Sequence, residues 1–325
     1  MLPEKNTILV GIDEAGYGPL LGPLVLSAVA FEMSPELADA CLWEVLRTSV
    51  RQTATSRDHR VAILDSKKLH KSKDGIGRLE RSVLAVTSAA RGMPNDLRTF
   101  LGMLRPDVLT QFDAYPWYSG ANPALPIAAN VGGIRIAAQA LRRDLDDRSI
   151  RLAGCWSEIL LEGHYNRLVD RSRNKAIVLL GLVLRLIQRI SDAYPDHSLR
   201  ILIDKQGARS HYGPHLMRAF DDYRLKIVDE TDTLSAYELV RGPTRWEVSF
   251  SRSGDAHHLP IALASLYSKY QRELLMHCFN RYWSRQAPDV KPTAGYYQDG
   301  MRFLKQIQPH LPRLGIDCAT LVRSR

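Results

Sequence analysis

Two adjacent carboxylates, Asp13 and Glu14, sit in Gly11-Ile12-Asp13-Glu14-Ala15-Gly16-Tyr17-Gly18-Pro19, and two more close Ile201-Leu202-Ile203-Asp204 and occupy Gly254-Asp255-Ala256. Each follows, or lies just beyond, a short apolar run that reads as a β-strand, so a parallel or mixed sheet would gather them. Carboxylates gathered at strand ends bind hard cations such as Mg²⁺ or Mn²⁺, and paired cations of this kind cleave phosphodiesters. The pattern suggests a metal-dependent nuclease. Taken singly, each residue also has a plainer reading: Asp13-Glu14 as a solvated acidic turn, Asp204 as a cap or charge partner, Asp255 as a helix cap. Adjacent strand residues point to opposite faces, so Asp13 and Glu14 share a site only if the strand ends at Asp13 and the backbone turns at Ala15-Gly16. Gly16 and Gly18 permit that turn and leave N–H groups open to a phosphate. Asp65-Ser66-Lys67-Lys68-Leu69 places a hydroxyl and two lysines in a short loop that suits phosphates or plain solvent equally. His257-His258 has no third metal ligand at a useful spacing.

The elements that must position these residues are legible in outline. Residues 7–12 and 23–31 read as strands joined by a Gly/Pro-rich connection, and helical patterning follows over 35–50. Helices are expected over 75–91 and 134–147. Between them, residues 105–133 carry four prolines and three glycines and read as a long irregular excursion, of a kind that is often functional or mobile. A strand is expected over 150–161, then a long helix over 166–190, apolar on nearly all sides from Ala176 to Leu184. Strands at 199–203 and 224–228 flank a helix around 210–220. Trp246, Val248 and Phe250 alternate with Glu247, Ser249 and Ser251 as one more strand, and helices follow over 260–283 and 299–307. Two strands first, then helices alternating with strands, indicate an α/β or α+β mixed sheet.

Composition sets wider bounds. The 325 residues are 45% hydrophobic, enough for one large domain or two small ones. Lys plus Arg number 44 against 35 Asp plus Glu, a net charge of +9 that permits polyanionic partners. Residues 269–325 hold ten Lys and Arg against four Asp and Glu, interleaved with Tyr270, Tyr282, Trp283, Tyr296 and Tyr297. That suits a nucleic-acid groove, or a solvated helix anchored by its aromatics. The four cysteines are far apart, which argues against a zinc ribbon or disulfide scaffold and fits a reducing compartment. No signal-peptide pattern follows Met1, and the most apolar run is too short to span a bilayer. A cytoplasmic protein with no membrane partner is the expectation.

The motifs in their order are more specific than any one alone. Gly-Ile-Asp-Glu-Ala-Gly-x-Gly-Pro, then Leu-x-Gly-Pro-Leu-Val, then Asp-Ser-Lys-Lys-Leu, a strand ending in Asp204, and Gly-Asp-Ala with Ala264-Ser-Leu-Tyr-Ser-Lys-Tyr-Gln-Arg-Glu273 closely resemble ribonuclease HII, the type 2 ribonuclease H family. Gly295-Tyr296 before a final helix is similar to that family's closing element. The resemblance covers residues 7–32, 64–70 and roughly 160–307. It implies an α/β ribonuclease H-like fold, a mixed central sheet flanked by helices, forming one domain over 1–325. Family-atypical insertions would fall at about 33–60 and 85–150, with a basic helical part over about 257–325.

The resemblance further implies that Asp13, Glu14, Asp204 and Asp255 hold two Mg²⁺ or Mn²⁺ ions and cleave RNA in RNA–DNA hybrids, or ribonucleotides embedded in duplex DNA, to 5′-phosphate and 3′-hydroxyl ends. Gly16, Tyr17, Gly18, Ser66, Lys67, Lys68 and Lys269 would contact substrate, and Tyr296 would stack on the sugar at the RNA–DNA junction. The family's usual Gly-Arg-Gly is here Gly16-Tyr17-Gly18, and a tyrosine cannot replace a guanidinium fork. A nuclease of this fold for another nucleic-acid structure, or a non-catalytic nucleic-acid-binding protein, are the competing expectations.

Overall fold

The computed structural model describes residues 6–54, 58–70, 75–207 and 209–324. Among the described residues there are nine strands: β1 Thr7–Ala15, β2 Leu24–Met33, β3 Val50–Arg51, β4 Val61–Ala62, β5 Arg151–Leu160, β6 Ser198–Asp204, β7 Arg224–Glu230, β8 Leu234–Arg241 and β9 Thr244–Ser251. β3 and β4 pair only with each other; the remaining seven form a sheet ordered β5-β2-β1-β6-β9-β8-β7. β1, β6 and β9 run parallel at its centre, and the flanking pairs are antiparallel. The mixed sheet flanked by helices agrees with the expectation from sequence.

Strand alternation feeds two cores. Ile8, Val10 and Ile12 of β1 pack on one face with the helix Lys175–Ala193, while Leu9 faces the other with the helix Leu259–Gln286. The latter helix is buried on nearly every side from Leu259 to Cys278, because it lies between β1 and β2 and the helix Gly75–Arg91. Its first turn presses on β1 at Gly11, where an added Cβ would lie 2.0 Å from the Pro260 carbonyl carbon. No side chain fits there. Gly11→Ala is therefore expected to destabilise the protein by about 3 kcal/mol, read as a lower denaturant midpoint; an unchanged midpoint would show that the helix can back away freely.

Several elements differ from the sequence expectation. The helix over 166–190 is two helices, Glu162–Ser172 and Lys175–Ala193. The chain breaks at Arg173, which adopts a left-handed φ of 52°, and Asn174 caps the second helix by accepting from the N–H groups of Ala176 (2.9 Å) and Ile177 (3.3 Å). Residues 35–50 form two short helices, Pro35–Ala38 and Leu42–Val45, before β3. The excursion at 105–133 holds a 3₁₀ stretch, Pro106–Ala114, and buries Phe112, Tyr115, Trp117 and Tyr118; Trp117 packs edge-on to Phe279 of the central helix at 5.4 Å. β8 had no sequence counterpart, since a serine occupies one of its inward positions, Ser235, beside Tyr237 and Leu239. Among the described residues no helix is long and apolar enough to cross a membrane.

Candidate active site

The register of the parallel strands explains how distant carboxylates meet. Ile12 of β1 pairs with Ile203 of β6, so Asp13 and Asp204 follow side by side where that ladder ends. β1 itself runs on to Ala15 along β2, so the strand does not end at Asp13 as the sequence reading required. Both Asp13 and Glu14 nevertheless line one cavity, because on the β6 side the ladder stops at Ile12 and opens the strand edge to them. β9 ends beside Asp204, and the turn after it places Gly254, whose N–H donates to Asp204 Oδ1 at 2.8 Å. Asp255 lies next in the chain, on the short helix Gly254–His257.

The resulting cavity, about 510 Å³, is lined by Asp13, Glu14, Asp204 and Asp255 together with Gly16, Tyr17, Gly18, Ser66, Lys67, Lys269 and Tyr296. Lys68 is exposed and does not line it. Ser66 is buried, and its hydroxyl is shared with Ser265 Oγ at 3.0 Å. The Lys269 ammonium is held by Glu273 Oε1 at 2.7 Å. Tyr296 is 50% exposed, with its ring 5.8 Å from the Arg272 guanidinium carbon. Asp65, Lys205, Arg252, Ser265 and Arg272 also line the cavity and had no assigned role in the sequence reading. Their signals lay within or beside the motifs, but nothing in one dimension separated them from neighbours that face the core.

The carboxylates repel one another in a partly dry setting. Burial holds Asp13 well above the usual carboxylate range, reinforced by the charges of Glu14 and Asp204. Burial and the Asp204 charge push Glu14 up to about 7, with Lys67 opposing the shift. Asp204 is raised by burial against the Gly254 N–H, and Asp255 by burial and the charge of Asp65. Four oxygen donors with unrelieved negative charge suit a hard divalent cation, which would supply the missing positive charge. Among the described residues no three His, Cys, Asp or Glu side chains converge into a ready cation cage, so the donor set is present without an assembled coordination shell.

The glycine-rich loop is held from behind. Gly16 has φ of +91°, and an added Cβ would lie 2.5 Å from the Pro23 carbonyl oxygen and 2.8 Å from Arg272 Cδ and Nε. Arg323, 3% exposed, donates from Nη1 to the Gly16 carbonyl and from Nη2 to the Tyr17 carbonyl at 3.1 Å. In a trans peptide the C=O and the next N–H point in opposite directions, so the Tyr17 and Gly18 N–H groups are turned away from Arg323. Two adjacent amides pointing outward make a small anion-binding concavity. The Tyr17 ring takes a cation–π contact from Lys175 at 5.2 Å.

A mixed α/β sheet with four carboxylates gathered where the parallel ladders of β1, β6 and β9 run out defines the class of site. Over 99 residues the chain is 31% identical to ribonuclease HII of Chlorobium chlorochromatii (strain CaD3), a match covering 28% of this chain and 48% of that protein. The chain thus spans about half the length of that curated relative. No family model matches. Among solved structures, it overlays a chain of the PCNA:RNase HII complex from Archaeoglobus fulgidus with a TM-score of 0.42 and 14% identity, covering 98% of this chain and 94% of that one. It overlays Bst-RNase HIII in complex with Mn²⁺ with a TM-score of 0.43 and 14% identity, covering 99% and 67%. At such scores the overlap says nothing about function.

Proposed function

We propose that this protein is a divalent-cation-dependent endonuclease that cleaves RNA in RNA–DNA hybrids, or ribonucleotides embedded in duplex DNA, leaving 5′-phosphate and 3′-hydroxyl ends. The observation that carries the reading is the meeting of Asp13, Glu14, Asp204 and Asp255 around one cavity whose remaining walls bring Lys67, Lys205, Arg252, Lys269 and Arg272, with Asp65, to the same space. Bound by these carboxylates, Mg²⁺ or Mn²⁺ would activate water and stabilise the leaving oxygen. Lys67, which already lowers the proton affinity of Glu14, Asp204 and Asp255, faces the same space and would hold a phosphate. The Tyr17 and Gly18 amides would bind a second phosphate oxygen or a 2′-hydroxyl, the group that separates RNA from DNA. Tyr296, half exposed at the rim, would stack on the sugar. The chain would act as one domain throughout.

Cleavage of three labelled duplexes tests this reading: DNA with one ribonucleotide, a continuous RNA–DNA hybrid, and all-DNA, each with Mg²⁺ and with Mn²⁺. Cutting of either ribonucleotide-containing duplex with the all-DNA duplex intact is the expected result; silence on all three sinks the proposal. A second reading, the same chemistry on a different nucleic-acid structure, is favoured by Tyr17, whose ring is engaged by Lys175 where the family's pattern has an arginine. Tyr17→Arg should raise the preference for the single ribonucleotide over the hybrid roughly tenfold, the worth of about one charge-assisted hydrogen bond. An unchanged ratio would assign substrate choice to residues outside the loop.

A further inference from the structure

The helix Glu162–Ser172 carries different groups on its two sides. Its buried side holds Tyr165 and Asn166: the Tyr165 ring lies 4.2 Å from the Arg323 guanidinium that fixes the Gly16–Tyr17 carbonyls, and Asn166 donates to the Ala319 and Val322 carbonyls. The helix therefore lies behind the Gly16–Tyr17 wall of the carboxylate cavity, with Arg323 between them. Its outer side carries His164, Arg167 and Arg171, three and four residues apart and so on one face. Arg167 and Arg171 are exposed, and among the described residues neither has a carboxylate partner. Asp170 is the helix's one acidic residue besides the buried Glu162.

The positive charge continues at both ends of this stripe. At one end Arg105, Arg185 and Arg189 converge on a single carboxylate, Glu158; Arg189 lies at 3.3 Å, Arg185 at 3.6 Å and Arg105 in direct contact. Arg105 also meets Asp107 at 2.7 Å, and two carboxylates still leave the three guanidiniums in surplus. The His164 imidazole is pushed down by its burial and then by Arg167, Arg185, Arg105 and Arg171, so these charges share one neighbourhood. At the other end Lys175 reaches the cavity by resting over Tyr17. The eleven-residue helix alone is roughly 16 Å long, a span over which a duplex presents several phosphates on each strand.

We propose that this stripe, from Lys175 through Arg171, Arg167 and His164 to Arg105 and Arg185, is a second nucleic-acid contact that holds the phosphate backbone of the duplex arm leaving the cavity past Tyr17. It rests on the nucleic-acid reading of that cavity. The contact is to phosphates and carries no sequence information, so it positions the duplex without selecting it.

The test is the salt dependence of binding, by fluorescence anisotropy of the full chain with a labelled duplex carrying one ribonucleotide, in EDTA so that nothing is cut. The double variant Arg167→Gln/Arg171→Gln should reduce the slope of log K against log salt by about 0.9 per lost phosphate contact, about 2 in all. Arg143→Gln, on the exposed side of another helix, should leave the slope as in wild type, and thermal melting confirms that both variants fold. An unchanged slope in the double variant overturns the stripe while leaving the cavity reading intact, and is also the result if an acidic protein surface occupies it. A wild-type protein that neither binds the duplex nor cuts it with Mg²⁺ or Mn²⁺ overturns the cavity reading first, and the stripe with it.

Discussion

Asp13→Asn should lower the cleavage rate at least about a hundredfold while making the metal-free protein more stable. Asp13 is 9% exposed and stands between Glu14 and Asp204, so its charge is the hardest of the four to keep in the fold without a cation. The amide has nearly the same shape and keeps an oxygen to accept the Glu14 N–H, now received by Asp13 Oδ1 at 2.7 Å. What is lost is one anionic ligand; what is relieved is repulsion on two neighbours. A gain of about 1 to 2 kcal/mol in EDTA follows, since one unit of pKa shift corresponds to about 1.4 kcal/mol. Cleavage on the three duplexes and melting in EDTA read both effects. A variant that cuts like wild type removes Asp13 from the site, and one that melts lower in EDTA contradicts the charge argument.

The second large effect is a pH-dependent instability that a divalent cation should cure. Burial and Asp204 raise Glu14 from its ordinary 4.5 to about 7, so the folded state binds this proton more tightly than the unfolded chain does. The associated stability is fully present below pH 4.5 and is lost as pH rises through 7, an amount of about 3 kcal/mol if Glu14 acted alone. Asp13, Asp204 and Asp255 are shifted in the same direction and deepen the loss. His70, His164, His258 and His277 are all shifted down and contribute with the opposite sign as pH rises. The clean measurement is therefore the difference between Glu14→Gln and wild type. In EDTA the variant should gain on wild type between pH 4.5 and about 7 and level off above, by denaturant midpoint at constant m-value. Mg²⁺ or Mn²⁺ at pH 8 should restore wild type by about 2.7 kcal/mol at a hundred times its dissociation constant, and restore Asp13→Asn far less. A difference that stays flat with pH would mean that Glu14 titrates as an ordinary surface carboxylate.

The sequence alone carried the elements whose pattern is local. β1, β2, β5, β6 and β9 were visible in apolar runs and alternation, and the helices Gly75–Arg91 and Leu259–Gln286 in their composition. Where local patterns competed, the reading failed. The polar run before Ala176 hid a break: Arg173 turned left-handed and Asn174 capped a new helix where one continuous helix was expected, and Ser235 hid β8 by placing a hydroxyl at an inward position. The aromatic-rich excursion between Arg105 and Gly133 read as irregular because its partners, among them Phe279, lie far along the chain.

For the candidate site, each of Asp13, Glu14, Asp204 and Asp255 had a plainer reading by itself, and the order of the motifs around them, with the family resemblance it carries, is what singled out the set. Their meeting was decided by the tertiary structure: the parallel register of β1 on β6, and the close approach of Pro260 to Gly11, bring the cavity's walls together. Only that structure shows that Ser66 is turned to Ser265 and Lys68 to solvent, and that Asp65 and Arg272 join the wall. The support of the Gly16–Tyr17 loop by Arg323, 306 residues beyond Tyr17, belongs to the same kind of fact. Composition and spacing determine which groups a chain has and which faces of a local element they take. Which of them share a cavity, and so alter one another's charge, depends on long-range packing that no local pattern encodes.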